Sequence, residues 1–186
     1  MKNLKFALLA ILFGVPILLS AQRIFTKSAS VSFDATSNAS LEEVEAKTNT
    51  GTIVIDVASG DVAAAVLMKS FQFKKALMQE HFNENYAESS KYPKAEFKGK
   101  FAAASAVNFA KDGTYKTTVS GNLTIHGATK SVSAPATITV KGGKVTAQTD
   151  FTVALADYNI SIPSLVSDKV AKNVKITFGG AMEAMK

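Results

Sequence analysis

Across residues 114–126 the side chains alternate in character. Tyr115, Thr117, Val119, Gly121, Leu123 and Ile125 fall on one face, and Lys116, Thr118, Ser120, Asn122, Thr124 and His126 on the other. A period of two is the signature of a strand with one face buried. Residues 144–156 repeat it, with Val145, Ala147, Phe151, Val153 and Leu155 opposed to Thr146, Gln148, Asp150 and Thr152. At the C-terminus Val174, Ile176, Phe178 and Met182 alternate with Lys175, Thr177 and Ala181. Less regular strands are read over 23–34, 44–57, 61–70, 94–104 and 130–141. Turn signals separate several of them: Ser59-Gly60-Asp61, Lys111-Asp112-Gly113 and Gly142-Gly143. The reading is all-β: eight strands, mostly joined to their sequence neighbours. Strands of this number and length close into an antiparallel barrel that leaves no free edge.

One segment follows a different period. Phe73, Leu77, Met78, Phe82 and Tyr86 are spaced as the apolar stripe of an amphipathic helix, which is expected over 73–88 and to end before Tyr92-Pro93. A second short helix fits 164–172, after Pro163. The start of the chain is different again. Lys2 and Lys5 precede an apolar run from Phe6 to Leu19 that closes on Ser20-Ala21. This is the layout of a secretory signal peptide, and the run is shorter than the roughly 20 residues of a membrane span. Residues 1–21 are expected to be removed in export, leaving 22–186 as one periplasmic or secreted domain.

Composition narrows the chemistry. The chain has 186 residues, no cysteine and a formal net charge of +6. Disulfides, thiolate catalysis and cysteine-ligated metals are therefore excluded. Of 21 basic residues only Arg23 is an arginine, and the lysines are scattered. Nucleic-acid surfaces concentrate Lys and Arg on one face, so no nucleic-acid partner is expected. His81 sits near Glu80 and Glu84 on the helix, but the HExxH pairing of a zinc helix is missing, and no metal is expected. No nucleophile elbow, dinucleotide fingerprint or phosphate loop occurs, and the inward faces carry almost no acids. The chain reads as a non-enzyme without a cofactor. His126, ending its strand before Gly127, reads as structural.

An eight-stranded barrel is either filled by side chains or just wide enough to hold one small ligand. Ala63, Ala64, Ala65, Gly99, Ala103, Gly121, Ala134 and Ala136, read as inward-facing, leave room among Phe97, Phe101, Phe151, Phe178, Leu123 and Ile125. On periodicity alone the hollow and filled barrels stay level.

Gly121-Asn122-Leu123-Thr124-Ile125-His126-Gly127-Ala128-Thr129-Lys130 resembles the G-x-L-T-[IL]-H-G-V-T-[KR] signature of the YceI-like family. Upstream, Glu80-His81-Phe82, then Lys91-Tyr92-Pro93 and Glu96-Phe97, resemble its D-x-H-L helix, Y-P turn and following strand. Asp157-Tyr158-Asn159-Ile160 and Val174-Lys175-Ile176 resemble its D-[FW]-G-[IV] and V-x-I blocks. The chain departs from the pattern at Gln79, where Asp is usual, at a spacer about one residue shorter, and at Asn159, where Gly is usual. The resemblance implies a lipocalin-like barrel with a helix near one end, in exported proteins that bind polyprenyl phosphates or isoprenoid quinones. On that basis the ligand is a hydrophobic small molecule of isoprenoid type. Its tail would lie against Phe97, Phe101, Val119, Leu123, Phe151 and Phe178, with Leu77, Met78 and Phe82 closing one end and His81 meeting the head group. Transient membrane contact and a monomer or homodimer go with this reading. The competing expectation is a filled structural or stress-response barrel that acts through protein partners.

Overall fold

The computed structural model describes residues 23–103 and 106–185; the expected signal peptide, 1–21, lies outside them. Nine strands follow one another: β1 (Arg23–Thr36), β2 (Glu45–Asp56), β3 (Asp61–Leu67), β4 (Gln72–Phe73), β5 (Lys94–Phe101), β6 (Gly113–Ile125), β7 (Ala128–Lys141), β8 (Lys144–Ala154) and β9 (Val170–Ala184). The sheet runs β1-β9-β8-β7-β6-β5-β3-β2, all antiparallel, and β1 pairs with β2 to close it. β4 is a two-residue continuation of β3. β2 pairs with β3 at Thr52–Ile55 and with β4 at Ala46 and Lys47. The expected strand over 61–70 therefore stops at Leu67. A 3-10 turn, Met68–Ser70, redirects the chain and places Phe71 in the core at 4% exposure. Counting β3 and β4 together, the barrel has the eight strands that the alternation predicts.

Two irregular stretches have a shared cause. On β1 the buried positions are Ile24 and Thr26, then Ala29 and Val31; on β2 they are Ala46 and Thr48, then Gly51, Ile53 and Ile55. A bulge shifts the phase in each strand, between Thr26 and Ala29 on β1 and between Thr48 and Gly51 on β2. An extra residue of this kind moves the following side chains to the other face. Each bulge is held by a buried threonine whose Oγ1 accepts the N–H two residues on: Thr26 from Ser28 and Thr48 from Thr50, both at 3.3 Å.

The helix is shorter than its apolar stripe. α1 (Ala76–His81) runs into a π turn, Phe82–Tyr86. Phe73 is taken into the sheet through its pairing with Ala46, so the helix begins three residues later than the pattern suggests. Its end widens where Asn83 Nδ2 donates to the Gln79 carbonyl at 2.8 Å, a side-chain competitor for a helical acceptor. The expected second helix is only the 3-10 turn Ser164–Val166. Val170 pairs with Thr36, which draws the following residues into β9.

The two ends of the barrel differ. Ile24, Ile55, Ile138, Val140, Val145 and Met182 fill one end as a packed floor. The other end carries α1, the β1–β2 loop and the β8–β9 connection.

Candidate functional site

Above the floor the barrel is hollow. A cavity of about 550 Å³ runs through it, within the roughly 300–1,000 Å³ of small-molecule sites. Its wall is made by the inward members of the alternating strands, Val119 and Leu123 on β6, Ala134 and Ala136 on β7, and Phe151 and Val153 on β8. Every residue the sequence nominates borders it: Phe97, Phe101, Val119, Leu123, Phe151 and Phe178 on the wall, and Leu77, Met78, His81 and Phe82 from the helix. His81 and Leu77 are exposed, so they stand at the rim and not within.

The small residues divide. Ala64, Ala65, Ala134 and Ala136 border the cavity, but Ala63 and Ala103 face solvent. Gly99 and Gly121 are opposite each other in the β5–β6 ladder and open no space. A Cβ on Gly121 would lie 2.3 Å from the Lys98 carbonyl oxygen, and one on Gly99 would lie 2.4 Å from Phe97 Cζ. Close strand approach and the Phe97 ring occupy what the missing side chains release.

α1 closes the mouth without burying a residue of its own. It is held from below by rings: Phe82 packs 5.4 Å from Phe33, 5.1 Å from Phe73 and 5.9 Å from Phe71, centroid to centroid. Gln79 Oε1, at the position where the family pattern has Asp, accepts the Phe73 N–H at 3.3 Å. Ion pairs Lys74–Glu43 and Lys75–Glu42 tie the helix start to the β1–β2 loop. The Lys75 ammonium, then Lys169, hold the Glu42 carboxyl below the usual carboxylate range. Among the described residues no group of three His, Asp or Glu side chains is placed to hold a metal ion.

His126 lies outside the cavity and pins its wall. Its Nδ1 donates to the Tyr158 carbonyl at 3.2 Å, and its Nε2 lies 2.5 Å from Glu88 Oε2. Glu88, His126 and Asn159 are the non-glycine residues with positive φ among those described, and all three meet here. Asn159, at φ +57°, accounts for the departure from the family's glycine: Asn is among the few residues that visit the left-handed region routinely.

Tyr158 is a buried residue of the site that periodicity does not single out. Pro135 has no N–H to donate, and the β7–β8 ladder begins only at Ala136–Thr149, with the Thr149 hydroxyl donating to the Pro135 carbonyl at 2.8 Å. Beyond that point β7 and β8 diverge, and the 3-10 turn Leu155–Tyr158 packs against both and against β9. Tyr158 is 2% exposed and borders the cavity, yet its hydroxyl has no hydrogen-bond partner among the described residues. An unpaired buried donor costs about 1–3 kcal/mol. Burial, then the Asp157 carboxylate, pushes the phenol above its ordinary value of 10.0. The available signal was a phenol where the family block has Phe or Trp.

No curated protein sequence matches the chain. Among solved structures it is similar to a polyisoprenoid binding domain from Saccharophagus degradans, at 14% identity and a TM-score of 0.75, covering 89% of this chain and 99% of that one. It is similar to BcnA from Burkholderia cenocepacia at 20% identity and a TM-score of 0.66, covering 83% and 96%. A YceI protein from Campylobacter jejuni follows at 18% identity and a TM-score of 0.55, covering 77% and 88%. These likenesses establish a shared fold. The YceI-like domain model matches residues 23–181, nearly the whole described chain, and the protein therefore belongs to the YceI-like family.

Proposed function

We propose that the protein is an exported, non-catalytic carrier or sequestering protein for an isoprenoid-type lipid, held with its tail inside the barrel. The observation that carries this is the apolar cavity of about 550 Å³ enclosed by strand side chains. Apolar burial contributes about 25 cal/mol per Å², so each 100 Å² of tail removed from water adds about 2.5 kcal/mol with no polar contact. The Saccharophagus degradans structure is described as a polyisoprenoid binding domain, which supports the same ligand class. Of the acidic, basic and imidazole groups on the lining, Glu42, Lys75, His81 and Lys169 are on the helix and loops of the mouth and Glu96 is an exposed residue of β5, a dispersed set that suits a carrier better than a converged acid–base site. The leader-like start of the chain supports export.

The rim supports contact with a membrane during loading. Leu41, Leu77 and Leu165 are 106%, 61% and 88% exposed. They stand on the β1–β2 loop, α1 and the β8–β9 connection. The two lysine–glutamate pairs and the Ser37 N–H to Lys169 carbonyl bond join those segments around the mouth. The deciding experiment is organic extraction of the purified envelope protein, mass spectrometry of the extract, and titration with a fluorescent prenyl lipid. An isoprenoid in the extract with saturable one-site binding is expected. An empty extract together with no saturable binding refutes the carrier.

A further inference from the structure

We infer that the packed floor limits tail length, so that the cavity takes an isoprenoid tail of about three to four prenyl units and excludes longer polyprenyl chains. The inference rests on the carrier reading and adds the tail length to it. Ile55 on β2 and Ile138 on β7, each 1% exposed, border the hollow. Around the closed sheet β8, β9 and β1 lie between those two strands on one side, and β6, β5 and β3 on the other. The two side chains therefore come from opposite walls. Beneath them Ile24, Val140, Val145 and Met182 belong to the same packed cluster and do not border the hollow. The barrel is blocked across its width at this level. Ile55, Val62 and Ile138 offer no polar group there, so a polar head faces the mouth and the tail points at the floor.

Depth and volume give the same length. On β7 the lining runs from Val132 to Ile138, and on β8 from Ala147 to Val153, a step of six residues on each strand. At about 3.3 Å per residue and a tilt of about 40°, that is about 15 Å along the barrel axis. A carbon chain advances somewhat less than its bond length of about 1.5 Å per atom, so about 12 chain atoms fit, the main chain of three prenyl units. The cavity of about 550 Å³, at roughly 30 Å³ for a group the size of a water molecule, holds about 18 carbons with their hydrogens. At five carbons to a unit, that lies between three and four units. A longer tail emerges at the mouth, and the part that leaves a bilayer for water is penalised in proportion to its exposed area. A shorter tail leaves the floor end void and forfeits dispersion contacts there. Selection therefore has an optimum length, and the floor sets it.

The test is displacement of a fluorescent prenyl lipid by prenyl alcohols of two to eight units, presented in phosphatidylcholine vesicles so that every tail starts from an apolar phase. Affinity should rise to three or four units and then fall at least about tenfold for each unit beyond. Two variants move the limit in opposite directions. Ala136 is the inward residue next above Ile138 and borders the hollow. Ala136→Phe places a ring about the size of one prenyl unit in that space and should shift the optimum one unit shorter. Ile138→Ala lowers the floor by part of a unit and should raise affinity for four units relative to three. Unfolding curves establish that each variant is folded; if one is not, the other decides, and the wild-type length profile is a test without either. Affinity that stays level or rises through eight units, or an optimum unmoved in a folded variant, would overturn the length limit while leaving the carrier intact. Failure of wild type to bind the fluorescent lipid or any of the alcohols would instead bring down the carrier reading beneath it.

Discussion

Tyr158 and His126 are neighbours with opposite accounts. The phenol leaves a donor unpaired, whereas the imidazole has a partner at each nitrogen and is only 11% exposed. Removing His126 therefore frees the Tyr158 carbonyl and the Glu88 carboxylate together. His126→Ala is expected to lower stability by about 1–3 kcal/mol while lipid affinity stays within a few-fold, since the ring is not on the lining. Chemical denaturation beside a lipid titration checks both halves, and a large affinity loss at unchanged stability would show that the ring acts in binding. The Tyr158 phenol carries a pH signature. Its folded value lies above the unfolded 10.0, so the folded state retains a proton that the unfolded chain gives up. The resulting stability is fully present below pH 10.0 and is lost as pH rises from there through the folded value. Wild type should weaken over that window, and Tyr158→Phe should weaken less; parallel denaturation midpoints for the two proteins would exclude the effect. In the sequence the one signal is a phenol where the family block has Phe or Trp, and it gives neither burial nor partnership. Burial and partnership come from where β7 and β8 separate.

At the scale of elements, strands whose alternation is unbroken were legible and bulged ones were not. β6 and β8 appear almost where the pattern puts them, because every second residue faces one apolar interior. β1 and β2 looked irregular because Thr26 and Thr48 place a hydroxyl on the inner face and then shift the phase. A period count reads that as noise, although the hydroxyls are satisfied by their own backbone. The helix was read too long for a related reason: Phe73 fits both periods, and the tertiary pairing with Ala46 decided in favour of the sheet. What remains is a short helix with no fully buried residue, resting on Phe82. Elements of that kind open at low free energy. Amide hydrogen exchange should be faster over 76–86 than in β6 or β7 and should slow on lipid binding; equal protection throughout the apo protein would refute a loose lid. Phe82→Ala should reduce stability by less than the roughly 3–5 kcal/mol of a fully buried phenylalanine, since the ring is only half-buried, and should accelerate lipid release in stopped-flow measurements.

At the scale of the whole molecule, the question left open by the sequence was whether eight strands enclose side chains or space. Alternation shows which residues point inward but not how far across the barrel they reach. The small residues misled in part, because Ala63 and Ala103 face out and Gly99 and Gly121 are covered. The structure contains both answers, a filled floor and a hollow above it, and single substitutions distinguish them. Ile24 is 8% exposed and packs with Met182 and Val145 in the floor. Leu123 is buried to a similar degree, 7% exposed, but borders the cavity. Truncation in a packed core loses transfer free energy and leaves a new void, about 2–5 kcal/mol for Ile or Leu to Ala. At Leu123 the void already exists, so truncation forfeits less dispersion attraction. Ile24→Ala should therefore destabilise the apo protein by an amount in that range, and Leu123→Ala by less. Saturation reverses the order of interest: lipid at a hundredfold excess over Kd stabilises a binding-competent barrel by about 2.7 kcal/mol. Ile24→Ala should keep that increment, whereas Leu123→Ala should lose part of it, because its missing methyls face the tail. Unfolding curves of wild type and both variants, with and without lipid, give all six values. Equal apo losses at the two sites, with identical lipid increments, would mean that the upper barrel packs as tightly as the floor and that no tail lies against Leu123.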